Sequence, residues 1–130
     1  MHKINRLLIN ICSENLELSK EFYTTLFDFK VDFDSDWFVH LISKDNLLEL
    51  GIISKTHDIV PEEFQNSPQG FYVTFVVDDA DAVFEKAKSA KFNVFQEPSD
   101  TFYGQRRLLL RDPDGALVDV SSPIAGFEFG

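Results

Sequence analysis

The chain predicts an α+β fold built from two βαβββ modules, and three observations carry that prediction. Strand-like and helix-like periodicities follow the order strand, helix, strand, strand, strand, and the order is stated twice. A stretch without periodicity, Ser54 to Gly70, separates the copies and holds Pro61, Asn66, Ser67, Pro68 and Gly70. Each copy also ends on a strand with one carboxylate on its mixed face, Glu49 in the first and Asp119 in the second. The modules fall at 1–53 and 71–123, with 54–70 as linker and 124–130 as a tail, and together make one compact domain.

Leu7 to Cys12 reads as the first strand, with Leu7, Ile9 and Ile11 on one face and Leu8, Asn10 and Cys12 on the other. Ser13 or Asn15 can cap the helix that follows. In that helix Leu18, Phe22 and Leu26 recur at i, i+4 and i+8, and Tyr23 and Phe27 widen the apolar stripe. Lys30 to Phe33 is a short strand, Asp34 to Asp36 a turn, and Trp37 to Ile42 a returning strand. Leu47 to Ile53 closes the module, with Leu48, Leu50 and Ile52 on the apolar face and Leu47, Glu49 and Gly51 opposite. Either His40 and Phe38 or Trp37 and Val39 join Glu49 on its face. The sequence leaves that register open.

In the second copy Phe71 to Val77 alternates Phe71, Val73, Phe75 and Val77 against Tyr72, Thr74 and Val76. Asp78 or Asp79 caps a helix carrying Val83, Phe84, Ala87 and Ala90. Asn93 to Gln96 is read as a strand and Pro98 to Asp100 as a break. The run GQRRLLLRDPDGALVDVSSP, Gly104 to Pro123, then forms a hairpin. Its turn is Asp112-Pro113-Asp114-Gly115: Pro presets φ, the Asp side chains can bond local backbone, and Gly accepts positive φ. Beyond it Ala116, Val118 and Val120 share an apolar face, and Leu117, Asp119 and Ser121 the mixed one. The tail Ala125 to Gly130, with Phe127 and Phe129, is apolar for a terminus and is expected over a groove or a subunit partner.

Fourteen Phe among 130 residues, with 44% hydrophobic residues, are enough for a packed interior. The net charge of −10 argues against nucleic acid and anionic membranes as partners. It would suit a cationic guest, although acidic soluble proteins are common. One cysteine, Cys12, rules out an internal disulfide framework and fits a reducing compartment. No apolar run approaches a membrane span and the N-terminus lacks a signal-peptide pattern, so a cytoplasmic protein is expected. No Ser/His/Asp triad, Walker loop or dinucleotide glycine turn supports nucleophilic or nucleotide chemistry.

The closing run, "G-Q-R, apolar strand, D-P-D-G, strand, acidic residue", resembles that of the vicinal-oxygen-chelate superfamily, which takes in glyoxalase I, bleomycin-resistance proteins and extradiol dioxygenases. The run SENLELSKEFYTTLF resembles the superfamily's first helix, which usually carries the Phe-Tyr pair found here at Phe22 and Tyr23. With the doubled βαβββ order the resemblance spans nearly the whole chain. It implies a curved cleft between the mixed faces of two sheets, and a homodimer. In metal-dependent members it implies four metal positions, on the first and last strand of each half. Here they read Leu8, Glu49, Tyr72 and Asp119. Two acids are in place, but the two positions that usually carry His or Gln are not. Leu8 cannot ligate and a neutral phenol ligates poorly, whereas a catalytic divalent site usually takes about three protein ligands.

By strand parity and this resemblance, the expected ligand-binding residues are Asn10, His40, Glu49, Tyr72, Thr74, Tyr103, Arg106 and Asp119. Arg106 and Arg107 pair either with an anionic ligand group or with Asp112 or Asp114. Tyr103 is as readily core as a stacking surface, and a lone histidine such as His40 is more often packed than a ligand. The expected function is binding of a small organic molecule with no cofactor and without the complete metal site. The competing expectation is a lyase, isomerase or dioxygenase whose divalent ion is held by Glu49, Asp119 and a third group such as His40 or Asn10.

Overall fold

A computed structural model of the chain describes residues 1–126, so the expectation for Phe127 and Phe129 lies outside the described residues. The chain divides into two units, Met1–Ser67 and Pro68–Gly130. Each holds one four-stranded mixed sheet and one α-helix.

The first unit runs β1 (Ile9–Ser13), α1 (Leu16–Leu26), β2 (Phe29–Asp34), β3 (Phe38–Ser43) and β4 (Glu49–Ser54). Its sheet order is β1-β4-β3-β2, with β1 parallel to β4 and the other pairs antiparallel. Asn15 caps α1, its side chain accepting from the Leu18 backbone N–H. Register aligns Ile11 with Ile52, Val39 with Ile52 and Leu41 with Leu50. These five side chains form one apolar face, each no more than 3% exposed. Phe22, Tyr23 and Leu26 of α1 are buried with them, and Phe22 and Tyr23 meet edge to face at 4.9 Å. Burying an aromatic side chain of that size stabilises the fold by about 1.5–3 kcal/mol.

Two expectations shift here. The first strand starts at Ile9 and the fourth at Glu49, leaving Leu7, Leu47 and Leu48 exposed. Alternation in the sequence continues past the last residue with a pairing partner, so periodicity overruns the strand ends. Leu18 is also exposed, while Ser19 takes a buried place on α1 by hydrogen bonding to Ser13 across 3.0 Å.

The second unit runs β5 (Val73–Val76), α2 (Ala80–Ser89), β6 (Asn93–Asp100), β7 (Gln105–Arg111) and β8 (Leu117–Pro123). The sheet order is β5-β8-β7-β6, again with a parallel pair, β5 and β8. Asp79 is the helix cap, accepting from the Ala82 N–H. Ser122 Oγ accepts from the Ala80 N–H at 3.1 Å and ties the start of α2 to β8. Leu108, Leu110, Val118 and Val120 form the fully buried face, together with Val83 and Ala87 of α2.

The break expected over Pro98 to Asp100 is instead the end of β6. The strand is outermost in its sheet, where a residue without an N–H is tolerated. Its register against β7 slips between Val94 and Gln96 and again between Gln96 and Ser99.

The Asp112–Gly115 turn forms as expected. Asp112 is buried, and its Oδ1 accepts from the N–H groups of Asp114 and Ala116, both at 2.9 Å. Gly115 has φ +84° and donates to the Asp112 carbonyl at 2.9 Å. Asp112→Ala would leave two backbone donors unsatisfied, and we expect a loss of about 1–3 kcal/mol in urea unfolding. A Cβ at Gly115 would meet no atom within 4 Å, so Gly115→Ala should cost only the backbone term of about 1 kcal/mol.

Candidate functional site

The face of the first sheet opposite α1 carries its polar groups. His40 pairs in register with Gly51, and Asn10 pairs with Gly51 from the other side. His40 and Phe38 therefore join Glu49, which settles the open register. His40 Nε2 lies 2.8 Å from Glu49 Oε1 and its Nδ1 lies 2.9 Å from Asp32 Oδ2. Asp32 reaches it from a bulge: Val31 pairs with Leu41 and Phe33 with His40, leaving Asp32 as the extra residue. Arg6 closes the cluster. Its Nε donates to both Glu49 oxygens at 2.8 Å, and its Nη2 bonds Glu49 Oε1 and lies 3.4 Å from His40 Nε2. An imidazole that donates from Nδ1 to Asp32 can accept from Arg6 at Nε2, whereas a doubly protonated ring donates to both carboxylates.

The hydrogen bond from Arg6 is the main reason the Glu49 carboxyl is held down at about 2, with that of His40 acting in the same direction against desolvation. Asn10 lies over the space above Gly51. A Cβ there would collide with Asn10 Oδ1 and come within 2.9 Å of the Phe38 ring. Glycine at 51 thus admits the Asn10 amide onto this face.

The corresponding face of the second sheet is built on β5, β8 and β7, where Thr74 pairs with Asp119 and Arg107 with Ser121. Asp119 is only 4% exposed. Its Oδ2 accepts from Thr74 Oγ1 at 2.8 Å and its Oδ1 from Ser121 Oγ at 2.9 Å. Arg107 Nε lies 3.3 Å from Asp119 Oδ1, and its Nη2 donates to the Tyr72 hydroxyl across 3.5 Å.

Asn10, His40 and Glu49 thus lie together on the polar face of the first unit, and Thr74 and Asp119 on that of the second, with Tyr72 reached through Arg107. Arg106 does not join them. It pairs in register with Ser122 on the face that carries α2, and there it binds Asp81 and Asp100 rather than Asp112 or Asp114. Tyr103 is half-buried in the loop before β7, edge to face with Phe102 at 5.2 Å. Two residues escape sequence reasoning. Asp32 enters through a bulge that alternation does not encode, and Arg6 comes from an irregular lead-in with no periodicity.

The four positions implied for a metal can now be tested against their surroundings. Leu8 offers no donor atom. Tyr72 is engaged by Arg107, the Glu49 oxygens by Arg6 and His40, and those of Asp119 by Thr74 and Ser121. Among the described residues no group of three or more His, Cys, Asp and Glu side chains is placed to hold a metal ion. This donor set does not fit the superfamily's four-ligand site.

A sequence profile of the Glyoxalase/Bleomycin resistance protein/Dioxygenase superfamily matches residues 3–120. The chain belongs to that superfamily. Among solved structures it is similar to a family enzyme from Burkholderia phytofirmans, with TM-score 0.77 and 19% identity over 90% of this chain and 97% of that one. A glyoxalase-related enzyme from Fulvimarina pelagi gives TM-score 0.74 and 16% identity over 92% and 88%. At such identities the likeness concerns the fold. A stretch of 56 residues is 43% identical to "Putative glyoxylase CFP32" of Mycobacterium bovis, and the same holds for the Mycobacterium tuberculosis protein of that name. This stretch is 43% of the chain but only 22% of those relatives' length. No helix among the described residues is long and apolar enough to cross a membrane.

Folding lowers the pKa of the Glu49 carboxyl. The folded value of about 2 lies below the ordinary 4.5, so the Arg6–Glu49–His40 cluster stabilises the fold fully above the ordinary value. That contribution is lost as pH falls through about 2. In Arg6→Met the Glu49 carboxyl should titrate nearer its ordinary range, and side-chain carboxyl NMR would read the shift directly.

Proposed function

We propose that this chain binds a small organic molecule and does so without a divalent ion at the superfamily's metal positions. One observation carries the reading: both acids at those positions are already engaged by side chains of their own unit. At Glu49 a metal would have to displace a guanidinium that reaches both oxygens, and the nearby imidazole as well. At Asp119 it would have to share oxygens that each already accept a hydroxyl hydrogen bond and that lie beside the Arg107 guanidinium. Divalent ions such as Mg and Ca prefer clusters of oxygen ligands, and catalytic zinc usually takes three protein ligands with one open position. Neither pattern is supplied by Leu8, Glu49, Tyr72 and Asp119.

What remains on each sheet is a surface of fixed polar groups beside exposed apolar ones, Phe33 in the first unit and Tyr72 and Val76 in the second. A few convergent polar groups on an otherwise apolar surface are the usual make-up of a small-molecule site. The superfamily includes bleomycin-resistance proteins, and this reading places the chain with such binders, acting as a homodimer, rather than with its metal-dependent lyases and dioxygenases.

The test is elemental analysis of protein purified without a His-tag, before and after dialysis against Ni, Zn, Mn and Fe(II). We expect less than about a tenth of an equivalent of metal per chain, because two of the four positions, Leu8 and Tyr72, supply no effective ligand. Near-stoichiometric metal that disappears in Glu49→Gln or Asp119→Asn would overturn the reading in favour of a metal-dependent enzyme.

A further inference from the structure

The two arginines that touch the acidic positions differ in how far the protein satisfies them. The Arg6 side chain is 60% exposed and its Nε and Nη2 are engaged by Glu49 and His40. Arg107 is the reverse: its side chain is only 23% exposed, and its Nε is fully buried without a hydrogen-bond partner. Asp119 Oδ1 lies 3.3 Å from that nitrogen as an ion-pair partner without forming a hydrogen bond to it, and the carboxylate accepts from Thr74 and Ser121. The remaining contact is the long one to the Tyr72 hydroxyl. A guanidinium has five donors in a planar fork and remains charged at any physiological pH. Burying one of those donors without a partner is costly, so such a group normally has an oxyanion or carbonyl against its fork.

The neighbourhood says what kind of molecule would bring that oxyanion. The Arg107 guanidinium carbon lies 5.9 Å from the centre of the Tyr72 ring, which is half exposed. Tyr72 precedes β5, where Val76 on the same side is 66% exposed. On the same face of β7 as Arg107 comes Arg111, its guanidinium 5.0 Å from the ring centre of the exposed Phe95. The polar face of the second sheet therefore offers a planar cation beside aromatic and aliphatic surface. Its carboxylate, Asp119, is largely buried, accepts from two hydroxyls and leaves the outward side of the guanidinium to another acceptor.

We propose that Arg107 anchors an organic anion: a carboxylate, or another planar oxyanion, attached to an aromatic or unsaturated body that lies against Tyr72. The inference rests on the small-molecule reading above and gives the charge of the guest. It runs opposite to the guest that the net charge of −10 favours, because a contact ion pair is decided within a few ångströms. Net charge acts over a Debye length of about 8 Å and more weakly.

The experiment is calorimetric titration of the full chain with matched probes: benzoate, cinnamate and 2-naphthoate, their neutral amides, and the corresponding benzylic amines. The expected result is binding of the carboxylates, at least about tenfold weaker binding of the amides, and a similar loss in Arg107→Met, in line with a charge-assisted hydrogen-bond pair. Arg107→Lys keeps the charge but not the fork, so it should recover only part of the affinity. Circular dichroism melting of both variants controls for unfolding. Should Arg107→Met not fold, the wild-type Arg107 Nε–H resonance takes its place, and it should shift on carboxylate addition and not on amide addition. Amine binding with no carboxylate binding, or carboxylate binding indifferent to Arg107, would overturn this inference and leave the small-molecule reading intact. No binding by any probe class would count against both, and a guest of another class then found to bind would restore only the broader reading.

Discussion

Parallel pairing of the first strand of each module with its last is the constraint on which the rest of the structure depends. A parallel pair cannot be joined by a tight turn, so the chain must travel through a helix and two further strands before returning. That journey buries one sheet face under the helix and fixes which residues face the other way. It also brings residues far apart in sequence side by side, as with Thr74 and Asp119 in register on β5 and β8. A slip of one residue would turn Asp119 into the core and Val118 or Val120 out of it, at the loss of several buried aliphatic side chains. The buried apolar layer therefore holds the polar face in place.

The polar faces show how ionisable groups are kept in order on such a sheet. In the first unit Glu49 is ion-paired with Arg6 and in hydrogen-bond contact with His40, and His40 is backed by Asp32. In the second, Asp119 is held by two hydroxyls and approached by Arg107. The same position in the two modules carries an acid with an arginine beside it, reached by unrelated routes. Arg6 comes from the lead-in before β1, whereas Arg107 comes from within β7.

Much of this was legible in the sequence because it depends on local rules. Alternation placed Asn10, Glu49, Thr74 and Asp119 on the polar faces, since side-chain direction in a paired strand follows parity. Asp112, Pro113 and Gly115 announced their turn by backbone chemistry alone, and Asn15 and Asp79 announced helix starts. Other features depend on tertiary context. His40 needed the β3–β4 register, and Asp32 needed a bulge. Arg106 and Arg107 are adjacent and alike in type, and only the register of β7 against β8 shows which of them meets the acid. Pro98 misled because a proline reads as a break unless the strand is known to be outermost.

The irregular outer strands have a consequence for how these molecules behave at high concentration. An outermost strand with a continuous row of free N–H and C=O groups invites another chain to extend the sheet. β2 carries the Asp32 bulge, and β6 carries two register slips and Pro98, which removes a donor from the row. Neither hairpin therefore offers a straight, fully equipped template for intermolecular strand addition. The bulge that delivers Asp32 to His40 also helps protect the β2 edge of the first sheet from intermolecular strand addition.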